Sequence, residues 1–154
     1  MQTRRIDGRG ARTFVIVFDR GEEVASGLLA FAEAHGIAAA DFTAIGALES
    51  VVLGYWEWET KQYRRNTLAE QVEVVSLLGN VAVDPDGSPK VHAHLVVSRA
   101  DGSAHGGHLL EGQVRPTLEV VLVESPATLQ RRLDPDTGLP LLALDRESSS
   151  RPME

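Results

Sequence analysis

The hydrophobic pattern of the first part of the chain predicts one strand and then one helix. An unbroken apolar run at Phe14–Phe18 is typical of a buried β-strand. Glu22 and Glu23 then fall in the first turn of a predicted helix, near the positive end of its dipole, and Gly36 suits its end. We expect this helix over about residues 22–36. Its apolar stripe recurs at i, i+4, i+7 and i+8 and consists of Val24, Leu28, Phe31 and Ala32.

Beyond this helix the pattern changes to short apolar runs and period-two alternation, which predict strands. Strong turn signals separate some of them, notably Asp84–Pro89 and the hairpin signal Ala100–Ser103. Gly79-Asn80 predicts an interruption in one long run, and residues 128–144 show no clean period. The predicted strands cover residues 42–48, 50–59, 63–67, 70–83, 90–98, 104–111 and 117–124.

One early helix followed by many strands predicts an α+β fold with a strand-rich, mostly antiparallel sheet. The chain has 154 residues, a length that fits a single compact domain. We expect that domain over residues 12–145. Residues 1–11 are predicted to form a flexible lead-in, and residues 146–154 a disordered tail.

Two of the predicted strand segments are apolar on both faces. They are Leu118–Val123 and Val72–Leu78, the latter apart from Glu73 and Ser76. A small domain with one principal helix cannot cover both faces of such a sheet. Because exposed apolar faces mark contact surfaces, the pattern predicts a homo-oligomer in which other copies of the chain supply the cover.

Charge and composition narrow the possible functions. The chain has 15 Lys and Arg against 22 Asp and Glu, a net charge of −7, which disfavours direct nucleic-acid binding. The absence of cysteine excludes disulfides, thiolate metal sites and cysteine nucleophiles. No apolar run reaches the length of a membrane span, and the N-terminal residues lack a signal-peptide pattern. We therefore expect a soluble, cytoplasmic protein.

Histidine clustering is the main chemical signal in the sequence. Of the 5 histidines, four fall between positions 92 and 108. His92 and His94 lie two residues apart in a predicted strand, so their side chains share one face at a Cα separation of roughly 6.5–7 Å. Two imidazoles at that spacing can converge on one metal ion.

The third ligand depends on the register of the following hairpin. A two-residue turn at Asp101-Gly102 would place His105 on the face of the first two histidines. A three-residue loop at residues 101–103, or a bulge at Gly106-Gly107, would place His108 there instead. Local spacing therefore leaves both histidines open as the third ligand.

A site of three histidines without cysteine is rich in nitrogen donors. Imidazole suits zinc, nickel, copper and Fe(II), so the predicted cofactor is Zn²⁺ or another divalent transition metal. Three protein ligands leave at least one coordination position open, as in a catalytic site. The residue pattern assigns no catalytic side chain and does not decide whether the protein is an enzyme.

The chain resembles the PPC domain, named for plants and prokaryotes conserved, from about Arg12 to Leu144. The resemblance depends on several ordered blocks at characteristic spacing. These are Ala44–Leu48, Leu53–Tyr55, Glu73–Asn80, His92–Leu95, Asp101-Gly102, Gly106–Leu109 and Pro116–Glu119.

The resemblance implies a compact α+β fold, a homotrimer, and a metal, usually zinc, held by histidines of H-x-H and G-G-H motifs. Transferred to this sequence, it implies His92, His94 and His108 as ligands, and Gly46 and Gly107 as backbone positions near the same pocket. Plant members carry an AT-hook for DNA. This chain has Gly8–Arg12 without the Arg-Gly-Arg-Pro order, so this segment is not an AT-hook.

Two functional hypotheses follow. In the first, a homotrimer binds a divalent metal through three histidines, together with a small molecule or in a metal-assisted reaction on an unidentified substrate. In the second, the protein is a regulatory or assembly module without enzymatic activity, associated with DNA through a partner.

Overall fold

The structure is a computed structural model and describes residues 1–5 and 12–144. These residues form nine strands and one helix, and no helix among them is long and apolar enough to cross a membrane. The elements in chain order are β1 (Gln2–Arg5), β2 (Thr13–Phe18), α1 (Val24–His35), β3 (Ala40–Glu57), β4 (Gln62–Leu68), β5 (Val72–Val83), β6 (Pro89–Ser98), β7 (Ala104–Glu124), β8 (Gln130–Leu133) and β9 (Pro140–Ala143).

A glutamate side chain caps the start of α1. Glu23 is the N-cap residue, and its carboxylate accepts hydrogen bonds from the backbone N–H groups of Ala25, Ser26 and Gly112. Burial by itself would raise the pKa of Glu23, but these bonds and one from the Ser26 hydroxyl hold it below its ordinary value. The prediction that Glu22 and Glu23 lie in the first turn is wrong, because the helix begins at Val24 and both residues precede it.

The predicted apolar stripe of α1 is confirmed. Its four members are all buried, and they pack into the core against the sheet. The helix ends as predicted at Gly36, whose φ of +61° is the left-handed conformation that glycine adopts most readily. The helix thus covers one face of the sheet with the residues Val24, Leu28, Phe31 and Ala32.

All nine strands belong to one sheet, and β6 closes part of it by pairing with both β5 and β7. The pairs are antiparallel, apart from a single parallel bridge between β5 and β8. β3 and β7 form the longest contact, since β3 pairs with β7 from Ala40 to Gly54. The four strands β3, β5, β6 and β7 therefore form a closed set that surrounds much of the core.

Two predicted strand breaks are bridged by irregular pairing. The prediction of separate strands at 42–48 and 50–59 is wrong, because β3 continues through Glu49 with a register shift between Leu48 and Ser50. Likewise β7 is one strand where two were predicted. The expected interruption at Gly79-Asn80 is also absent, because β5 pairs with β6 through both residues. β8 and β9 lie in the segment for which no period was visible.

The hairpin of β6 and β7 has a register that differs from both of the predicted turns, at residues 101–102 and 101–103. Its loop has three residues, 100–102, and Arg99 donates a backbone hydrogen bond to Ser103. His94 therefore lies directly opposite His108, with no bulge at Gly106-Gly107 in this pairing. Of the three alternatives, the three-residue loop has the correct length, but it lies one residue earlier than predicted.

One face of the sheet leaves large apolar side chains exposed. Ile45, Val75, Leu78 and Val121 are 61%, 56%, 57% and 43% exposed, and they line one open depression together with Glu119. These residues belong to the segments that the sequence marked as apolar on both faces or adjoin them in the sheet. α1 does not cover this face.

The α+β prediction agrees broadly with this strand-rich, mostly antiparallel sheet with one helix. Among the described residues, strands account for 62% and the helix for 9%, so this part of the chain is mostly β. Gln2–Arg5, which we expected within a flexible lead-in, forms β1 against β2. The rest of that lead-in, residues 6–11, and the expected tail at 146–154 lie outside the described residues.

Candidate metal centre

Three histidines from one hairpin meet on the outer face of the closed strands. His92 and His94 share a face of β6, and His108 on β7 lies opposite His94. Each contributes a ring nitrogen, and the three nitrogens lie within 4.8 Å of one another. The ring centroids are 5.0–5.4 Å apart. The strand pairing alone therefore brings the three imidazoles together.

Burial and mutual proximity keep two of these imidazoles neutral. Burial, followed by the charges of His92, His94 and Lys90, lowers the pKa of His108 to about 4. Burial, followed by Arg131 and His94, also lowers the pKa of His92. Neutral imidazole is the form that binds a metal, so at neutral pH both rings are ready to act as ligands.

An aromatic contact fixes the ring of His108. Tyr63 on β4 stacks on it with centroids 4.8 Å apart and planes inclined by 16°. Trp56 in turn makes an edge-type contact with Tyr63, with centroids 4.9 Å apart. Gly54 lies opposite His108 on β3, and a Cβ there would come within 2.8 Å of the Tyr63 ring. Glycine at position 54 therefore leaves the space that Tyr63 fills.

The remaining candidates from the sequence lie elsewhere. His105 is exposed and pairs with Val97, so it belongs to the opposite face from His108. Gly107 packs against the backbone of Gly54 beside the cluster. Gly46 pairs with Leu118 in a distant part of β3 and does not line the pocket next to the histidines, contrary to expectation.

A cavity of about 320 Å³ adjoins the cluster. Its wall includes His92 and His108, and two cationic side chains, Lys90 and Arg131, share it. Arg131 comes from β8, whose sequence shows no period, so no sequence pattern predicted this residue for the site. Tyr63 was not predicted for the site either. The available signal was Gly54, because a glycine inside a strand often marks the close approach of another group. Apolar residues form the rest of the wall, namely Val91, Leu110, Leu139, Pro140 and Leu141.

The chemistry of the cluster fits a divalent transition metal. The Nδ1 atom of His108 is buried and has no hydrogen-bond partner among the described residues, and a metal ion is one group that satisfies such a nitrogen. Three imidazoles form a donor set that zinc and its neighbours prefer. Among the described residues, these three histidines are the one group of metal-ligating type at this spacing.

The fold and the histidine cluster together define a class of small, strand-rich proteins with a nitrogen-donor site on the face of the sheet. Comparison with protein families identifies the group within this class. The family model of the Plants and Prokaryotes Conserved (PCC) domain matches residues 5–126, so the chain belongs to this family. The resemblance noted in the sequence is confirmed.

Solved structures of similar proteins share the fold over nearly the whole chain. A plant- and prokaryote-conserved protein from Pyrococcus horikoshii is 32% identical with a TM-score of 0.81, and the match covers 92% of this chain and 99% of that one. A metal-containing protein from Archaeoglobus fulgidus is 34% identical with a TM-score of 0.79, covering 94% and 99%. A candidate DNA-binding protein from Bacteroides thetaiotaomicron is 28% identical with a TM-score of 0.86, covering 94% and 98%.

The chain is also similar to part of a much longer protein. The bifunctional protein GlmU of Synechococcus sp. (strain JA-3-3Ab) is 34% identical over 112 residues, which are 71% of this chain and 17% of that protein. The same protein of strain JA-2-3B'a(2-13) is 37% identical over 98 residues, 62% of this chain and 14% of that protein. The chain thus spans about a sixth of the length of the curated relatives it matches.

Proposed function

We propose that this protein binds one divalent metal ion, Zn²⁺ or another transition metal, through His92, His94 and His108, and a small molecule beside it. The observation that carries the proposal is the convergence of three ring nitrogens within 4.8 Å of one another. The metal-containing relative from Archaeoglobus fulgidus supports it. A bound zinc ion would supply a Lewis acid with an open position for an oxygen ligand.

The protein's own residues orient and shield this centre. Tyr63 holds the plane of His108 by stacking, while the hairpin fixes His94 opposite it. His92 and His108 line the cavity, whereas His94 is exposed and does not line it. A ligand of the metal would therefore enter from the cavity, with His94 forming the outer edge of the site.

The metal content of protein purified without a histidine tag tests this function. We expect about one zinc or other transition-metal ion per chain by elemental analysis, because three converging imidazoles bind such ions tightly. Protein that is free of metal after purification should take up added zinc to the same level. Metal-free protein that fails to take up zinc would contradict the proposal.

We also propose that three copies assemble through the exposed apolar face, giving the homotrimer that the family resemblance implies. Ile45, Val75, Leu78 and Val121 are exposed and line one depression, so they form a cluster and are not scattered singly over the surface. Leu78 lies directly opposite His94 on the neighbouring strand. A second copy on this face would therefore approach the outer edge of the metal centre.

Replacing Val75 with aspartate is expected to convert the trimer to monomers. Val75 is 56% exposed, so the fold of one chain should tolerate the change, whereas a carboxylate buried between copies costs several kcal/mol. Light scattering should show the mass falling from about three chains to one. The matched control is Leu133→Asp, at a residue that is 66% exposed on β8, which should leave the mass unchanged. Wild-type protein with the mass of one chain would contradict the trimer.

A regulatory or assembly module that reaches DNA through a partner is the second candidate. Its support comes from similar structures described as candidate DNA-binding proteins, from Bacteroides thetaiotaomicron and Ralstonia eutropha. The net charge of −7 opposes direct contact with phosphates. A metal-free trimer that takes up no zinc would favour this candidate over the first.

A further inference from the structure

We propose that the cavity beside the three histidines binds a small organic carboxylate with an apolar body, and that Arg131 and Lys90 recognise its negative group. The inference rests on the proposed function for the position of the metal, but its own observations concern the cationic side chains and the cavity wall. It assigns the chemical class of the small molecule.

Arg131 is a buried cation without a carboxylate partner among the described residues. It is 6% exposed, and its guanidinium donates hydrogen bonds to the neutral side-chain oxygen of Asn80 and the backbone oxygen of Pro140. Its Nε is buried and has no described partner. Asp84 is close enough to raise the pKa of Arg131, against the lowering by burial, but forms no described salt bridge with it.

Such an arrangement favours binding of an anion. A buried guanidinium is costly unless a negative group compensates it, and its planar donors match a carboxylate in geometry. The two hydrogen bonds to Asn80 and Pro140 hold the side chain in place before a ligand arrives. Arg131 is therefore held in place at the cavity wall before an anion arrives.

Lys90 adds a second positive charge to the same wall. It lies two residues before His92 on β6, so the two side chains share a face of the strand. Its charge reaches His108, since it contributes to the lowered pKa of that ring. In a chain with a net charge of −7, this cavity combines two cations and no acidic lining residue. The local charge therefore selects for a negative ligand.

The other residues of the cavity wall determine what kind of group can carry the negative charge of the ligand. Leu110, Leu139, Pro140 and Leu141 are apolar, and Tyr63 contributes an aromatic ring. A volume of about 320 Å³ lies at the small end of ligand pockets. A short aliphatic carboxylate fits both the size and the chemistry. Held by the two cations, it would lie next to His92 and His108.

Isovalerate and its neutral amide, isovaleramide, are suitable probes because they have nearly the same shape and differ in charge. Binding is measured by NMR titration of the full chain, with and without added zinc. We expect isovalerate to bind at least about tenfold more tightly than isovaleramide in both states, since the cations and not the metal supply the preference. Equal binding of the two probes to the metal-free protein, or no binding of isovalerate, would overturn the proposal.

Variants assign the preference to the two cations. Arg131→Met and Lys90→Met should each weaken isovalerate binding, by about tenfold and about threefold to tenfold, and leave the zinc content at the wild-type level. Lys90 is exposed, so its variant remains informative if Arg131→Met fails to fold. Arg132→Met, at the neighbouring exposed position that does not line this cavity, is the matched control and should bind as wild type.

The outcomes separate the two proposals. Isovalerate selectivity without zinc uptake would sustain the anion site and contradict the metal centre. Zinc uptake with unchanged isovalerate binding in both cation variants would sustain the metal centre and contradict the anion site.

Discussion

Replacing His94 with alanine is expected to lower zinc affinity by about a hundredfold or more while leaving the fold intact. The change removes one of three nitrogen donors and leaves a pair, which holds zinc far less tightly. His94 is the exposed member of the cluster, so its loss creates no core cavity. A competition titration against a chromogenic chelator measures the affinity, and the thermal unfolding temperature reports stability.

His105→Ala is the matched control for this experiment. His105 is an exposed histidine on the same hairpin, but it belongs to the opposite face, so its removal should leave zinc affinity unchanged. Equal loss of affinity in the two variants would indicate that zinc binds surface histidines without a defined site. Unchanged affinity in the His94 variant would exclude it as a ligand and contradict the three-histidine centre.

Gly46→Ala is expected to destabilise the fold by about 3 kcal/mol or more. Gly46 has a φ of +150°, and a Cβ at this position would lie 2.4 Å from the Thr117 carbonyl oxygen and 2.8 Å from the Leu118 Cα. Both atoms belong to the backbone of β7, so relief would require the central pair of strands to separate. Thermal unfolding should show a decrease of roughly 10 °C for a chain of this size.

Gly87→Ala is the control that separates the effect of the close Cβ contact on stability from the effect of the positive φ. Gly87 also has a positive φ, +89°, but a Cβ there would meet no atom within 4 Å. Its substitution should therefore cost only about 1 kcal/mol. Equal destabilisation of the two variants would contradict the steric account. The part of the Gly46 variant that folds should retain zinc binding, since Gly46 lies away from the histidines.

The helix and the local strand segments of this fold were predictable from the sequence, but whether neighbouring segments join into one long strand was not. The stripe of α1 was readable because one face of the helix is buried and the period is regular. The prediction divided β3 because Glu49 interrupts the apolar pattern. In the structure β3 continues through Glu49, and its pairing with β7 shifts register at that residue. Such irregularities depend on partner strands that are distant in the sequence. β8 escaped prediction because it is four residues long.

The candidate site was predictable to a similar extent. The spacing of His92 and His94 in a strand was sufficient to place both rings on one face. It could not choose between His105 and His108, because a shift of one residue in the hairpin exchanges the two faces. The family resemblance, and not the spacing, indicated His108. Arg131 was beyond sequence reasoning, since only the folded chain brings β8 beside β5 and places Arg131 in the cavity wall with His92.

All three histidines lie in one hairpin, whose strands β6 and β7 also close the sheet. Forming the cluster therefore requires only a short loop to close, and the conformational entropy lost in bringing the ligands together is small. An ion held there would link the two closing strands to each other. Its binding free energy would add to the energy needed to separate β6 from β7, so metal supply would regulate how often this barrel-like sheet opens.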